Sequence, residues 1–320
     1  MKKTLAALAL GLTASFGWAS PTDYPNRPIK LVVGFTAGGT SDLIARIVGE
    51  SLQKRLGQPV VIENRPGGGG TPATRAVSQS DPDGYTLVIG SAASFVINPH
   101  LQKVGYNPLT DFTPIVPLVK LNYIVLGRTG SSVTDLQGLI AKARKEPNMV
   151  TYGSPGVGSS AHIATSAFAV KAGISLRHVP YKGAADALRD LSGGHIELLF
   201  EAIPTGAPPV ATKRVIPLAT TGLQRAPQLP DVPTVHELGF TGYESGNWFA
   251  IFAPPGVKPE IAEKLNREVN AVLAEPEVVK RLTEAGNTVL GGSAADLTKL
   301  MTREFMANKA LIEKLQIKLE

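Results

Sequence analysis

Residues 29–52 read "IKLVVGFTAGGTSDLIARIVGESL", and their reading decides the fold. Five residues, mostly aliphatic and β-branched, come first. A turn follows in which two adjacent glycines lead into two hydroxyls and an aspartate, after which Leu43, Ile44, Ile47, Val48 and Leu52 recur at helical spacing. A buried strand passing into an amphipathic helix is the first half of a βαβ unit, and residues 60–63 supply its second strand.

The alternation continues outward. Strands are expected at 85–89, 123–126, 150–153, 176–179, 197–200 and 215–219. Between them, Thr134 with Gln137 reads as a capping box for a helix to 145, and Ser160 caps a second helix closed by Gly173. Residues 184–191 make a third, closed by Gly193 and Gly194. Near the carboxyl end Pro259 and Pro276 each open a helix, and Ser293 with Asp296 caps a last one of about twenty residues. Proline-rich segments at 203–209 and 224–233 read as separators. The chain thus predicts an α/β fold in two domains, crossing near Leu126 and returning near 242–246. The first domain takes 20–125 with 244–320, the second takes 126–243, and a double crossing of this kind makes a hinge beside a cleft.

Composition narrows the function classes. Lys2 and Lys3, the small and apolar run at 4–16 and the small residues around Ala19 read as a secretory leader at 1–19. With 0 cysteines among 320 residues, neither disulfides nor thiolate chemistry are available. The formal charge of +6 is spread along the chain, favouring anionic ligands and not nucleic acid, whose basic, aromatic-interleaved patches are missing.

The turn at 34–42 lies where a parallel sheet holds ligands, between a strand's carboxyl end and a helix's amino end. Free N–H groups and the helix dipole favour an anion there. Gly38 and Gly39 leave the backbone open, while Thr40 and Ser41 add hydroxyl donors. An ordinary helix start capped by Thr40, with Asp42 complementing the dipole, explains the same residues. A second turn of similar design, "YGSPGVGSSAH" at 152–162, follows another strand. Two such turns, one per domain, point to a carboxylate clamp. The Gly156-x-Gly158-x-x-Ala161 run within it matches a dinucleotide fingerprint only weakly, since the acidic ribose-binding residue has no counterpart. Neither a nucleophile elbow nor a metal-binding His-Glu-x-x-His pair is present, and the five histidines are scattered. No enzyme, cofactor or metal is expected, although a Ser-His-Asp triad assembled by folding stays open.

The blocks "YPNRPIKLVVGFTAGGTSDLIAR", "GQPVVIENRPGGGG", "DPDGYTLVIG", "YGSPGVGSSAHIA", "VPYKGAADALRDLSGGHIELLF" and "NWFAIFAPPGVKP" resemble, in order, those of the Bug-type receptors of tripartite tricarboxylate transporters. The resemblance implies a clamp-like periplasmic binding protein with mixed, mostly parallel sheets, which delivers small organic acids to membrane transporter subunits. Phe35 would wall the cleft, with Gly38, Gly39, Thr40, Ser41 and Asp42 forming one cradle and Ser154, Gly156, Gly158 and Ser159 the other. Lys182, Gly183 and Ala184 would open a further helix towards the cleft, and Ser91 and Ala92 would complete its wall. Two departures stand out. Thr71-Pro72-Ala73 follows the glycine run in place of the family's usual residues. Glu201 stands where the family often carries Asp, and it either pairs with a ligand amine or narrows the pocket. A monomer is expected, holding a mono-, di- or tricarboxylate, an aromatic acid or an amino acid. A receptor presenting its ligand to a membrane sensor, and an exported hydrolase, are the rival readings.

Overall fold

The computed structural model describes residues 24–315, and the leader read at 1–19 lies outside them. The first half runs β1 (Ile29–Val33), α1 (Thr40–Leu56), β2 (Val60–Asn64), α2 (Thr71–Ser78), β3 (Thr86–Ser91), α3 (Asn98–Leu101) and β4 (Thr113–Arg128). Next come α4 (Leu136–Lys145), β5 (Thr151–Ser154), α5 (Ser160–Ala172), β6 (Arg177–Pro180), α6 (Ala184–Ser192), β7 (Leu198–Ala202), α7 (Ile203–Ala211) and β8 (Val215–Thr220). The chain then returns through β9 (Gly246–Ala253), α8 (Pro259–Leu273), α9 (Pro276–Glu284), β10 (Asn287–Val289) and α10 (Ala294–Leu315).

The strands order as β2-β1-β3-β9-β4-β7-β5-β6, with β8 and β10 also pairing with β4. The sheet has two halves, and β4 belongs to both. Its residues from Thr113 to Asn122 pair with β9, whereas those from Tyr123 onward pair with β7 and β8. Parallel ladders, β2-β1-β3 in one half and β7-β5-β6 in the other, flank this antiparallel centre. All their carboxyl ends lead into helix starts.

The strand expected at 123–126 is therefore one end of a 16-residue strand. Pro114 and Pro117 hid the rest, and the register slips beside each of them, as a strand must where proline cannot donate to the ladder. The segment 203–209, read as a separator, forms α7: Pro204 occupies the first turn, where no amide is needed, and Pro208 and Pro209 fall in the last. Two caps move by one residue. Asp135, not Thr134, receives the Gly138 N–H at 2.7 Å, and Ser159, not Ser160, receives that of His162 at 3.3 Å.

The helical stripe of α1 is buried as its spacing demands, with Ile44, Ile47, Val48 and Leu52 at 2% exposure or less, while Leu43 faces solvent. At the chain's return, Gly246 approaches so closely that an added Cβ would stand 2.0 Å from the carbonyl oxygen of Leu121. Thr221 ties the two crossings: its Oγ1 receives the Tyr123 N–H at 2.8 Å and donates to the Ser245 carbonyl at 2.6 Å.

Candidate functional site

The turn between β1 and α1 is shaped from within. Gly38 has φ +81°, open to glycine at little cost, and its N–H donates to Asp42 Oδ2 at 2.9 Å. Arg46 Nε donates to the same oxygen at 2.9 Å, and Asn64 holds the Phe35 carbonyl at 3.1 Å. Burial pushes the Asp42 carboxyl up, but Arg46, Gly38 and Asn64 together hold it below the usual carboxylate range. Asp42 is thus turned onto its own loop and neutralised by Arg46. The cap position belongs to Gly39, which offers no side chain, so the first-turn amides of Thr40, Ser41 and Asp42 keep the free donors of every helix start. A Cβ on Gly39 would meet only the Thr36 carbonyl, at 3.4 Å. No side chain at position 39 covers those amides.

The second turn is busier than its sequence suggests. Ser154 is fully buried, and its Oγ lies 2.6 Å from His178 Nε2 and 3.0 Å from the Gly156 carbonyl. Gly158 N–H donates to His162 Nδ1 at 3.2 Å, and Ser159 serves as the cap. The rings of Tyr152, His178 and His162 stack at centroid separations of 4.8 and 4.1 Å. Burial, reinforced for His162 by its neighbour, depresses the two imidazoles to about 3 and about 4, so both are neutral at pH 7. Ser160 Oγ, one residue on, is buried without a partner. The second turn's free donors therefore centre on the start of α5, not on Ser154, Gly158 or Ser159.

A third helix start adjoins it. Gly183, extended, precedes α6 without a side-chain cap, and nothing lies within 4 Å of a Cβ placed there. Ala184 is half-buried beside it, whereas Lys182 is exposed. Gly156 touches this segment, since its Cβ would lie 3.4 Å from the Tyr181 carbonyl. Ser91 is fully buried with Oγ unpartnered, and the Ala92 N–H goes to Asn247 on β9 at 3.2 Å. Glu201 ends β7 and is 4% exposed. Its Oε1 accepts from the Ala202 N–H at 3.1 Å and from the Thr205 hydroxyl, while Oε2 has no partner. Burial lifts its pKa to about 7 despite those bonds.

Contacts stitch these pieces together. Phe35 packs on Gly70, whose Cβ would lie 3.4 Å from its ring, and Ser94 lies beside the same glycine. Asn98 touches Gly69 on one side and Gly158 on the other. The turn at 34–42, the glycine run at 67–70, the end of β3 and the start of α5 thus surround one seam between the halves. The departing Thr71 sits within it, its hydroxyl accepting from Asn98 Nδ2 at 3.2 Å. Asn98, Asn64 and His178 escaped the sequence reading because none carries a local motif and only folding brings them to the turns; His162 lay in the second turn, but its part as acceptor of the Gly158 N–H did not show.

Elsewhere, a cavity of about 470 Å³ lies behind the crossings, lined among others by Lys120, Glu244, Trp248, Arg303 and Glu304. It mixes both charges and holds none of the open helix starts. A smaller one of about 150 Å³ reaches from Ala92 and Ser160 to Tyr243 and α10. Among the described residues no cluster of three His, Asp or Glu suited to a metal occurs, and no helix is long and apolar enough to cross a membrane.

Known proteins share this architecture. The model of the tripartite tricarboxylate transporter family receptor matches residues 44–317. BugT of Bordetella pertussis is 33% identical over 293 residues, covering 90% of each chain. The R. palustris protein Rpa4515, solved with adipate, superposes with a TM-score of 0.88 at 35% identity, over 92% of this chain and 99% of that one. MatC of Rhodopseudomonas palustris, solved with bound malate, gives 0.84 at 30% identity, over 90% of this chain and 100% of the other.

Proposed function

We infer that this chain, which belongs to the Bug-type receptors of the tripartite tricarboxylate transporter family, holds a small organic dicarboxylate across the seam between its halves. One observation carries the reading. Two helix starts, α1 behind Gly39 and α6 behind Gly183, are uncapped and open, each in front of a parallel strand of a different half. Each presents unpaired amides and a positive dipole end to an anion. The neutral Asp42–Arg46 pair leaves the first of them without a repelling charge. Thr40, Ser41 and Ser160 add hydroxyls, and Phe35 packs the wall between the carboxylates. That relatives were solved with adipate and with malate supports an acid with two carboxyl ends.

Glu201 faces the first turn of α7 and narrows the pocket; it does not answer a ligand amine in this reading. Ser154 and His178 have the spacing of a nucleophile and its base, but a serine with 0% exposure is closed to an ester, so the pair is structural. The acid is captured without turnover in the periplasm and passed, by a monomeric receptor, to membrane transporter subunits. A thermal-shift panel of mono-, di- and tricarboxylates tests the reading: an acid at a hundred times its Kd adds about 2.7 kcal/mol of stability. If aliphatic dicarboxylates left the melting temperature unmoved while amino acids or aromatic acids raised it, the assignment would fall.

A further inference from the structure

Asn98 opens the short helix α3 and is 1% exposed. Its Nδ2 donates to the Gly68 carbonyl and to Thr71 Oγ1, each at 3.2 Å. A carbonyl only accepts, so the amide's orientation is fixed and Oδ1 faces the other way. On that side stands Gly158, the glycine of the second turn, with φ +76°. A Cβ built there would lie 2.4 Å from Asn98 Oδ1 and 3.2 Å from Leu101 Cδ1. Oδ1 has no polar partner, and the Gly158 N–H is already given to His162. What faces the oxygen is the space that a Cβ at position 158 would fill, kept clear because the residue is glycine. Behind it, a Cβ on Gly69 would stand 2.5 Å from Nδ2. The amide is wedged between a glycine of its own half and a glycine of the other.

We propose that Asn98 is the positioning residue for closure, the seat on which the second turn comes to rest when the clamp shuts. The proposal deepens the carboxylate reading above and rests on it. Asn98 locks the glycine run and α2 with Nδ2, and offers Oδ1 as the surface that sets how near Gly158 can come. The distance between the two open helix starts, and so the length of acid they span, follows from that contact.

The chain has no cysteine, so Lys54→Cys in α1 and Lys145→Cys in α4, both exposed, accept spin labels one per half without competition. Distances between the labels, without acid and with adipate or malate, are measured for the parent, Gly158→Ala, Asn98→Ala and the double variant, alongside acid affinity. Gly158→Ala is expected to lengthen the distance in the acid-bound protein and to weaken acid binding about tenfold or more. In the Asn98→Ala background the same substitution is expected to cost at least about threefold less, because the group it strikes is gone while the strain of alanine at positive φ remains. A merely structural glycine would give additive effects in the cycle, and additivity or an unchanged distance distribution overturns the proposal. Should Gly158→Ala fail to fold, Asn98→Ala alone decides: label distances identical to the parent's overturn the seat. If neither acid binds the parent, the carboxylate reading fails by itself, and the coupling of the two substitutions in unfolding free energy still judges the contact.

Discussion

Replacing Glu201 with glutamine should flatten one limb of the protein's pH–stability profile. The carboxyl is buried, with Oε1 bonded and Oε2 unpartnered, and its pKa rises from an ordinary 4.5 to about 7. An acid whose folded pKa is raised stabilises the fold fully below its unfolded pKa, and that contribution is lost as pH climbs through the folded value. The window is therefore 4.5 to about 7. The difference corresponds to about 3 kcal/mol over the full window, most of which falls between pH 5 and pH 8. The stacked histidines act oppositely. Their depressed values of about 3 and about 4 mean that their contribution is present above 6.5 and is lost as pH falls towards those values. A single profile mixes both, but the difference between parent and Glu201→Gln cancels the histidines. Glutamine keeps the acceptor for Ala202 and Thr205, so the constant cost of its unpaired amide shifts the whole curve without tilting it. Urea unfolding of both proteins at pH 5, 6, 7 and 8 measures the gap. The parent should lose about 2–3 kcal/mol relative to the variant across that range. A gap constant with pH would show that Glu201 ionises as an ordinary solvated carboxylate and that its buried placement is wrong.

Gly39→Val should leave the melting temperature within a few degrees of the parent's, since its φ of −82° suits any residue, yet weaken dicarboxylate binding about tenfold or more by covering the first-turn amides; a thermal melt checks the first half and isothermal titration calorimetry the second. Asp42→Ala removes the acceptor of the Gly38 N–H and the partner of Arg46, and should lower both unfolding free energy, by about 1–3 kcal/mol, and acid affinity. Full affinity in that variant would mean the turn keeps its shape without the carboxylate. Gly183→Leu, where a Cβ meets open space, should cost under about 0.5 kcal/mol of stability while obstructing the α6 start. Unaltered dicarboxylate binding would remove that helix from the site.

Much of the fold was legible because its signals are local. The stripe on α1, the β-rich runs and the glycines closing α5 and α6 each state their structure within a few residues. Where proline intruded, the reading broke. Pro114 and Pro117 concealed the first part of β4, and Pro204, Pro208 and Pro209 disguised α7 as a linker, although Pro204 falls in the first turn, where a helix tolerates it. The strands β9 and β10 went unread because one is flanked by a proline-glycine turn and the other has only three residues. At the site, the glycines and hydroxyls of both turns were visible, but their commitments were not. That Ser154 is spent on His178, and Gly158 on His162, depends on ring stacking between residues 16 or more apart in the chain. Asn98 carries no motif at all. Its role exists only where three distant segments meet.

The sharing of β4 between the two halves bears on how the molecule moves. A door swings on a joint that stores nothing, but here the joint is a strand hydrogen-bonded along both of its parts, braced by Thr221 and pressed by Gly246. Opening must twist or flex that strand, so the clamp behaves as a leaf spring. Its resting angle is written into the sheet's own twist. Acids of different length would then be distinguished by how far they hold the spring from rest.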